Sequence, residues 1–405
     1  MMKSTPLQQY GVITANYWAF TLSDGALRML VVLYFYQLGY TPLAIAMLFL
    51  FYEFFGVVTN LVGGWLGARI GLNRTMQLGM ALQIGALAML LVDKSLLTVP
   101  WVMAAQALSG IAKDLNKMSA KSAIKLVVKE HQQGRLYQWV ALLTGSKNAL
   151  KGLGYFLGGL LLSMLSFQGA VWALIALVAL GFVLSSVLLG EDLGRSKFKP
   201  KFKDVFSKSA ALNRLSLARL FLFASRDVWF VVALPVFFIS QLGWQHQQVG
   251  GFMALWIIAY GVVQSMAPRF TRSNSHSVFK QAQRYSGLLA LVTLLLLLAL
   301  VFIGNNSNAQ TWVLVLGLLL FGAVFAINSS LHSYLVVKLA DRDAVSLDVG
   351  FYYMANASGR LIGTLLSGWL YQVSGLLACL ACALMLQLAT WWVSRHLSSG
   401  EQSQG

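Results

Sequence analysis

Twelve charged residues, eight bases and four acids, sit inside long apolar runs of this chain, and any chemistry it performs must start from them. The bases are Arg28, Lys113, Lys117, Lys147, Lys151, Arg219, Arg226 and Arg360; the acids are Asp24, Glu53, Asp114 and Asp227. A charge at the centre of a membrane span costs at least about 2.5–3.5 kcal/mol on insertion scales, so such residues face a cavity or a partner and act there. Eight bases against four acids leave a cationic surplus. An anion would balance it, so the expected cargo is an anion carrying more than one charge.

Spacing groups these residues. Lys113 and Lys117 are four apart, as are Lys147 and Lys151. Residues four apart share one side of a helix. The stretch SGIAKDLNKMSAKSAIK (109–125) extends the first pair through Lys121 and Lys125. Such a ladder could focus an anion electrostatically toward the membrane interior; Lys113 and Lys117 could equally snorkel from a helix end. Asp24 and Arg28 are also four apart, which allows a local ion pair or a proton-linked gate. Arg226 and Asp227 are adjacent and are expected to point apart, leaving Arg226 to meet substrate. Glu53 lies in FLFYEFFG (49–56), a setting for proton carriage or for a hydrogen bond to another helix. The expected substrate-binding set is therefore Arg28, Lys113, Lys117, Lys147, Lys151, Arg226 and Arg360, with Asn60. The expected proton-coupling or gating set is Asp24, Glu53, Asp114 and Asp227.

Other polar residues carry weaker signals. Asn328 and His332 are four apart with Ser329 and Ser333 nearby; a membrane histidine reads first as a structural hydrogen-bonding residue, although histidine relays exist in transporters. Cys379 and Cys382 read as small packing residues, too few for a disulfide framework or a cysteine-rich metal centre. The chain has no Gly-Lys pair and hence no phosphate-binding P-loop, and it lacks HExxH and GxSxG. An enzyme is not expected, nor is a cofactor or metal.

The elements that must position these charges are membrane helices. Of 405 residues, 58% are hydrophobic and 11% charged, and mean hydropathy is +0.69. Soluble domains carry about 25% charged residues. Twelve apolar segments are expected at about 9–38, 41–67, 75–93, 97–119, 136–165, 169–190, 211–241, 246–268, 284–304, 311–337, 346–372 and 375–394. At about 20 residues per span, they leave short loops. The first is too long and too charged for a cleaved signal peptide. Basic residues crowd the connectors 68–74, 120–135, 191–210, 269–283 and 338–345, whereas the opposite connectors hold Lys94 alone. The positive-inside rule then places both termini in the cytoplasm of an inner (plasma) membrane protein. The net charge of +17 is read as topology, with no nucleic-acid partner.

The longest connector, 191–210, separates an N-terminal half (1–190) from a C-terminal half (211–405), six helices each, and is expected to be a basic cytoplasmic linker. The halves echo each other: FTLSD (20–24) and FASRD (223–227), then KGLGYFLGGL (151–160) and RLIGTLLSGW (360–369). Two six-helix halves in one orientation are the repeat logic of the major facilitator superfamily. GWLGARIGLNR (64–74) resembles its signature loop through Gly64, Leu66, Arg69, Gly71 and Arg74, with Ala68 in place of the usual acid. GYFLGG (154–159) resembles its antiporter motif, with Tyr155 in place of proline.

Four longer strings resemble the ArsJ family of organoarsenical efflux permeases: YWAFTLSDGALRMLV (17–31), FYEFFGVVTNLVGGWL (51–66), AQALSGIAKDLNKMSAKSAIKLV (105–127) and VALLTGSKNALKGLG (140–154). The resemblance implies arsenate resistance. In that family glyceraldehyde-3-phosphate dehydrogenase is the functional partner that makes 1-arseno-3-phosphoglycerate, and the permease exports the ester. Transport of another organophosphate or organic anion is the alternative.

Overall fold

The computed structural model describes residues 6–40, 48–128, 133–189, 208–271, 275–304, 306–343 and 345–397. Regular structure among them is helical: α1 (Pro6–Gln37), α2 (Leu50–Ile70), α3 (Leu72–Ala88), α4 (Val99–Val127), α5 (Gln133–Met164), α6 (Phe167–Leu188), α7 (Ala210–Phe230), α8 (Ala233–Ser240), α9 (His246–Phe270), α10 (Ser275–Ile303), α11 (Ser307–Leu339) and α12 (Val345–Arg395), with 3-10 turns at Met89–Leu91 and Lys94–Leu96. Gly375, at φ 73° and ψ −169°, divides α12 into two arms. α7 and α8 are one broken span; Ser367 Oγ accepts from the Ala233 amide at the break (3.1 Å), satisfying a donor that a helix start leaves unpaired. Counted in this way, the described residues form twelve helical segments, six on each side of the 191–210 connector, of which 191–207 lie outside them.

Local signals set the boundaries. Ser166 and Ser209 cap α6 and α7, accepting from the amides of Gly169 and Leu212. α2 passes into α3 through Gly71 alone, at φ 96°, a backbone conformation open to glycine and costly for other residues. Eight segments are long and apolar enough to cross a membrane by length and composition. α4 and α5 are not among them, because they carry the intramembrane lysines. α4 also runs to Val127, so Lys121 and Lys125, expected in a loop, are helical. A continuous run of i,i+4 hydrogen bonds needs no apolar sequence once neighbouring helices cover it.

The chain divides into two units. The N-terminal unit comprises Met1–Gln132, Ser146–Ser207 and Ala340–Met354; the C-terminal unit comprises Gln133–Gly145, Lys208–Leu339 and Ala355–Gly405. The first is cored by α1, α3, α4 and α6 through Leu27, Leu30, Met80, Val102 and Val178. The second is cored by aromatic residues, Trp229, Trp256, Phe321 and Phe325 among them.

Glycines bring particular helices together. A β-carbon at Gly154 would lie 2.7 Å from the Leu22 carbonyl, and one at Gly25 would lie 2.7 Å from the Lys151 carbonyl. The α1–α5 crossing is thus a backbone-to-backbone contact, as small residues permit in membrane helices. Gly154→Ala should therefore lower the melting temperature of the detergent-solubilised protein by several degrees, a cost of about 1–3 kcal/mol for overpacking. Gly368→Ala, where a β-carbon meets nothing within 4 Å, should leave it unchanged or raise it; fluorescence-detected melting of the two variants checks the contrast.

Candidate functional site

In the N-terminal unit the charges gather around Tyr52. The ring is 1% exposed and held by a close α2–α4 contact: a β-carbon at Gly110 would lie 2.7 Å from the Tyr52 carbonyl. The Tyr52 hydroxyl donates to Asp24 Oδ1 at 2.6 Å. Its ring lies 3.8 Å from Lys113 Nζ and 4.7 Å from the Arg28 guanidinium carbon. Arg28 Nη2 donates to Glu53 Oε1 at 3.2 Å. Lys151 Nζ lies 3.9 Å from Asp24 Oδ2, brought there by the α1–α5 crossing.

One turn away along α4, the buried Asp114 takes two lysines, Lys117 at 2.5 Å and Lys113 at 3.7 Å. Gly56 makes room for this carboxylate, since a β-carbon there would lie 2.9 Å from Asp114 Oδ2. Lys117 and Lys121 also face the Tyr353 ring at 4.8 and 4.9 Å. Arg28, Lys113, Lys117, Lys121 and Lys151 thus bring five cations to this part of the unit, beside Asp24, Glu53 and Asp114. Lys113 and Lys151 make no hydrogen bond among the described residues; each reaches its carboxylate only at ion-pair distance. Their side chains are mostly buried, at 15% and 21% exposed.

The C-terminal unit repeats the device with arginine. Gly359 packs on the Leu220 carbonyl, and a β-carbon at Gly363 would lie 2.7 Å from the Ala224 carbonyl and 3.0 Å from Asp227 Cβ. This α7–α12 crossing seats Arg360 Nε 3.4 Å from Asp227 Oδ2. Arg226 Nε donates to Asp227 Oδ1 at 2.6 Å. Its guanidinium also faces Phe223 (4.7 Å) and Phe325 (5.4 Å). The two Nη groups of Arg226 have no hydrogen-bond acceptor among the described residues. Arg219 is buried above Phe223 at 4.0 Å and donates to Asn356 Oδ1 (2.8 Å) and to Ser329 Oγ (3.1 Å) and O (3.2 Å). Gln264 Nε2 donates to the same Ser329 hydroxyl.

Several expectations need correction. Asp24 and Arg28 do not pair with each other: Tyr52 and Lys151 take the aspartate and Glu53 takes the arginine. Adjacent Arg226 and Asp227 do pair, because the arginine stem is long enough to fold its Nε back over one residue. Glu53, by contrast, does make the hydrogen bond to another helix that is one of its two readings: Arg28 of α1 donates to it, and its side chain is a third exposed. Lys113 and Lys117 turn into the unit toward Asp114, so neither snorkels to a helix end. Asn60 packs: it donates to the Gly56 carbonyl, and its backbone meets Gly350, where α2 crosses α12. Lys147 is half-buried on α5. Asn328 donates to Ser286, and the nitrogens of buried His332 have no hydrogen-bond partner among the described residues. Cys379 and Cys382 belong to the apolar core. Among the described residues no three His, Cys, Asp or Glu are placed to hold a metal.

Sequence reasoning passed over Tyr52, Tyr353, Asn356 and Gln264, and gave Ser329 only as a neighbour of His332. The hydroxyls and amides carry no charge to betray them, and ring faces next to lysines leave no spacing pattern. Ala68, where the signature loop ordinarily has an acid, is buried against Leu347, and Arg69 lies over Trp65 at 5.1 Å. An apolar contact and a ring replace the charge relay there.

Residues 13–364 match the Major Facilitator Superfamily. The chain belongs to that superfamily. No curated protein matches it. Among solved structures it is similar to the human organic anion transporter MFSD10 (TETRAN), with TM-score 0.77 and 17% identity over 97% of this chain and 100% of that one. It is likewise similar to a bacterial homologue of the iron transporter ferroportin in an outward-facing state (TM-score 0.76, 14% identity, 96% and 99% covered) and to the E. coli fucose:proton symporter FucP (TM-score 0.71, 10% identity, 97% and 99% covered). At these identities the likeness is one of fold. The protein is a multi-pass membrane transporter with the twelve-helix, two-half fold of the major facilitator superfamily, a family of carriers rather than enzymes.

Breaking a buried pair by removing one partner costs about 3–5 kcal/mol, because the other charge is stranded. Asp114→Asn should therefore sharply lower the melting temperature and yield of this transporter. Adding Lys117→Gln should recover part of the loss, with a coupling of about 0.5–3 kcal/mol between the two sites. A thermal-melting double-mutant cycle measures it; additive effects would mean that the two residues do not interact.

Proposed function

We propose that this transporter exports a multiply charged organic anion, and specifically that it confers arsenate resistance by exporting 1-arseno-3-phosphoglycerate made by glyceraldehyde-3-phosphate dehydrogenase. The supporting observation is the pair of half-buried ammonium groups, Lys113 and Lys151, without hydrogen bonds among the described residues. A desolvated cation without hydrogen bonds is costly. An oxyanion supplies the missing acceptors and charge. A phosphate monoester carries about −1.5 to −2 charges at pH 7, which two ammonium groups can balance. The arsenical identity rests on the four strings that resemble the organoarsenical permeases; the charged residues of the N-terminal network, on α1, α2, α4 and α5, all lie in those strings.

On this reading the substrate-binding cations are Arg28, Lys113, Lys117, Lys147 and Lys151, joined by Arg226 and Arg360. Halves 1–190 and 211–405, linked by the basic segment 191–210, rock in alternating access. Protonation of Asp24, Glu53, Asp114 or Asp227 resets the carrier. The membrane is the inner (plasma) membrane, with both termini in the cytoplasm. A second reading is another organophosphate or organic anion. The fold shared with an organic anion transporter favours it, and the same lysines would serve.

Everted membrane vesicles test both readings. Lys113→Gln and Lys151→Gln should each reduce anion uptake at least tenfold and abolish arsenate resistance in cells that express the dehydrogenase, with protein levels intact. Lys94→Gln, at an exposed 3-10 turn, should change neither. Normal uptake and resistance in both inner lysine variants would sink the anion site. Uptake of other organic anions with no resistance would select the second reading.

A further inference from the structure

Tyr52 stands where three ion pairs of the N-terminal unit meet, and neither the charge surplus nor the fold assigns it a role. Its hydroxyl donates to Asp24 at 2.6 Å. The ring of the same residue lies 3.8 Å from the Lys113 ammonium and 4.7 Å from the Arg28 guanidinium carbon. Its backbone is fixed by the close approach of Gly110, so the freedom that remains is rotation of the side chain. A phenol has one proton to donate and a negative ring face to offer a cation. Here both are in use at once, toward groups of opposite charge on α1 and α4.

The Lys113 end of this link is weak. Its ammonium makes no hydrogen bond among the described residues, reaching Asp114 only at 3.7 Å and the ring by its face. An anion that engages Lys113 draws the ammonium off the ring. The ring then loses a neighbour that held its plane, and the hydroxyl turns with it relative to the Asp24 carboxylate. Asp24 in turn lies 3.9 Å from Lys151, so its orientation bears on the second binding lysine.

We propose that Tyr52 is a positioning residue that couples Asp24 to the anion-binding Lys113, so that occupancy at the lysine is felt at the carboxylate. The proposal rests on the anion reading above and adds the route by which that site communicates within its own unit.

The test is binding of radiolabelled 3-phosphoglycerate, a stable organophosphate, to the full-length protein in lipid nanodiscs. Asp24→Asn and Lys113→Gln are measured singly and together, in the native background and in Tyr52→Phe. In the native background the two effects should be non-additive by about fivefold or more in Kd. In Tyr52→Phe, which keeps the ring and removes the hydroxyl, that coupling should fall below about twofold, while the Kd of Tyr52→Phe itself stays within about threefold of the parent. Tyr52→Leu, which removes the ring as well, should weaken binding by about tenfold; if it fails to fold, the Tyr52→Phe cycle alone decides. Coupling of undiminished size in Tyr52→Phe, or additive effects in the native background, would overturn the role of Tyr52 and leave the anion site standing. No binding of the probe by the parent protein would overturn both.

Discussion

A carboxylate that leaves water with a helix is costly unless a cation leaves with it, and among the described residues two buried carboxylates each hold two cations. That sharing organises both units. Asp114 serves two lysines, and Asp227 serves two arginines. The remaining positive charge is spread over aromatic faces: Tyr52, Tyr353, Phe223 and Phe325 each lie beside a cation. A ring face is worth about 0.5–1 kcal/mol at exposed sites and about 2 or more when desolvated. It tempers a buried cation without neutralising it, and it competes poorly with an incoming oxyanion.

Backbone proximity decides which charges meet. An ion pair needs its atoms within about 4 Å, and helices separated by full-size side chains pack 8–10 Å apart. Gly154 of α5 and Gly363 of α12 remove that separation beside a buried aspartate in each unit. Gly154 lies on Leu22 two residues before Asp24, and Gly363 lies on Ala224 three residues before Asp227. Lys151 and Arg360 each precede their glycine by three residues, so each arrives at the aspartate of the neighbouring helix. The internal echo in the sequence therefore marks a shared construction: a small-residue crossing whose purpose is to deliver a cation to a buried acid.

The helices and their number were legible because apolar runs of membrane length have few alternatives. Helix ends were less so where charge resembled a loop. Lys121 and Lys125 read as cytoplasmic, yet Lys121 is 2% exposed on α4, covered by the Tyr353 ring from a segment more than two hundred residues away. Membership of the inner charge set was also legible, since a lone Lys or Asp among Leu and Phe is costly wherever it points. Partnership was not. Spacing of i,i+4 favoured Asp24 with Arg28, but it says nothing of competitors on other helices, and Tyr52 and Lys151 captured the acid. The rule that neighbours point apart ignored how far an arginine stem can fold. Pairing is a tertiary fact, set by crossings that local periodicity does not contain.

The two units differ in the cation they offer, and the difference bears on what each can do. Lysine supplies a point charge on a flexible stem and gives up one contact for another at little geometric cost. In the N-terminal unit this makes Lys113 and Lys151 suited to exchanging a carboxylate or a ring for a cargo oxyanion. Arginine presents a planar fork that is selective for two parallel acceptors. In the C-terminal unit Arg226 spends only its Nε on Asp227 and turns the rest of the fork away from it, while Arg219 is held by neutral groups on α11 and α12. On the anion reading proposed above, the lysines supply contacts that exchange as cargo binds, and the arginine fork supplies the geometry that discriminates it.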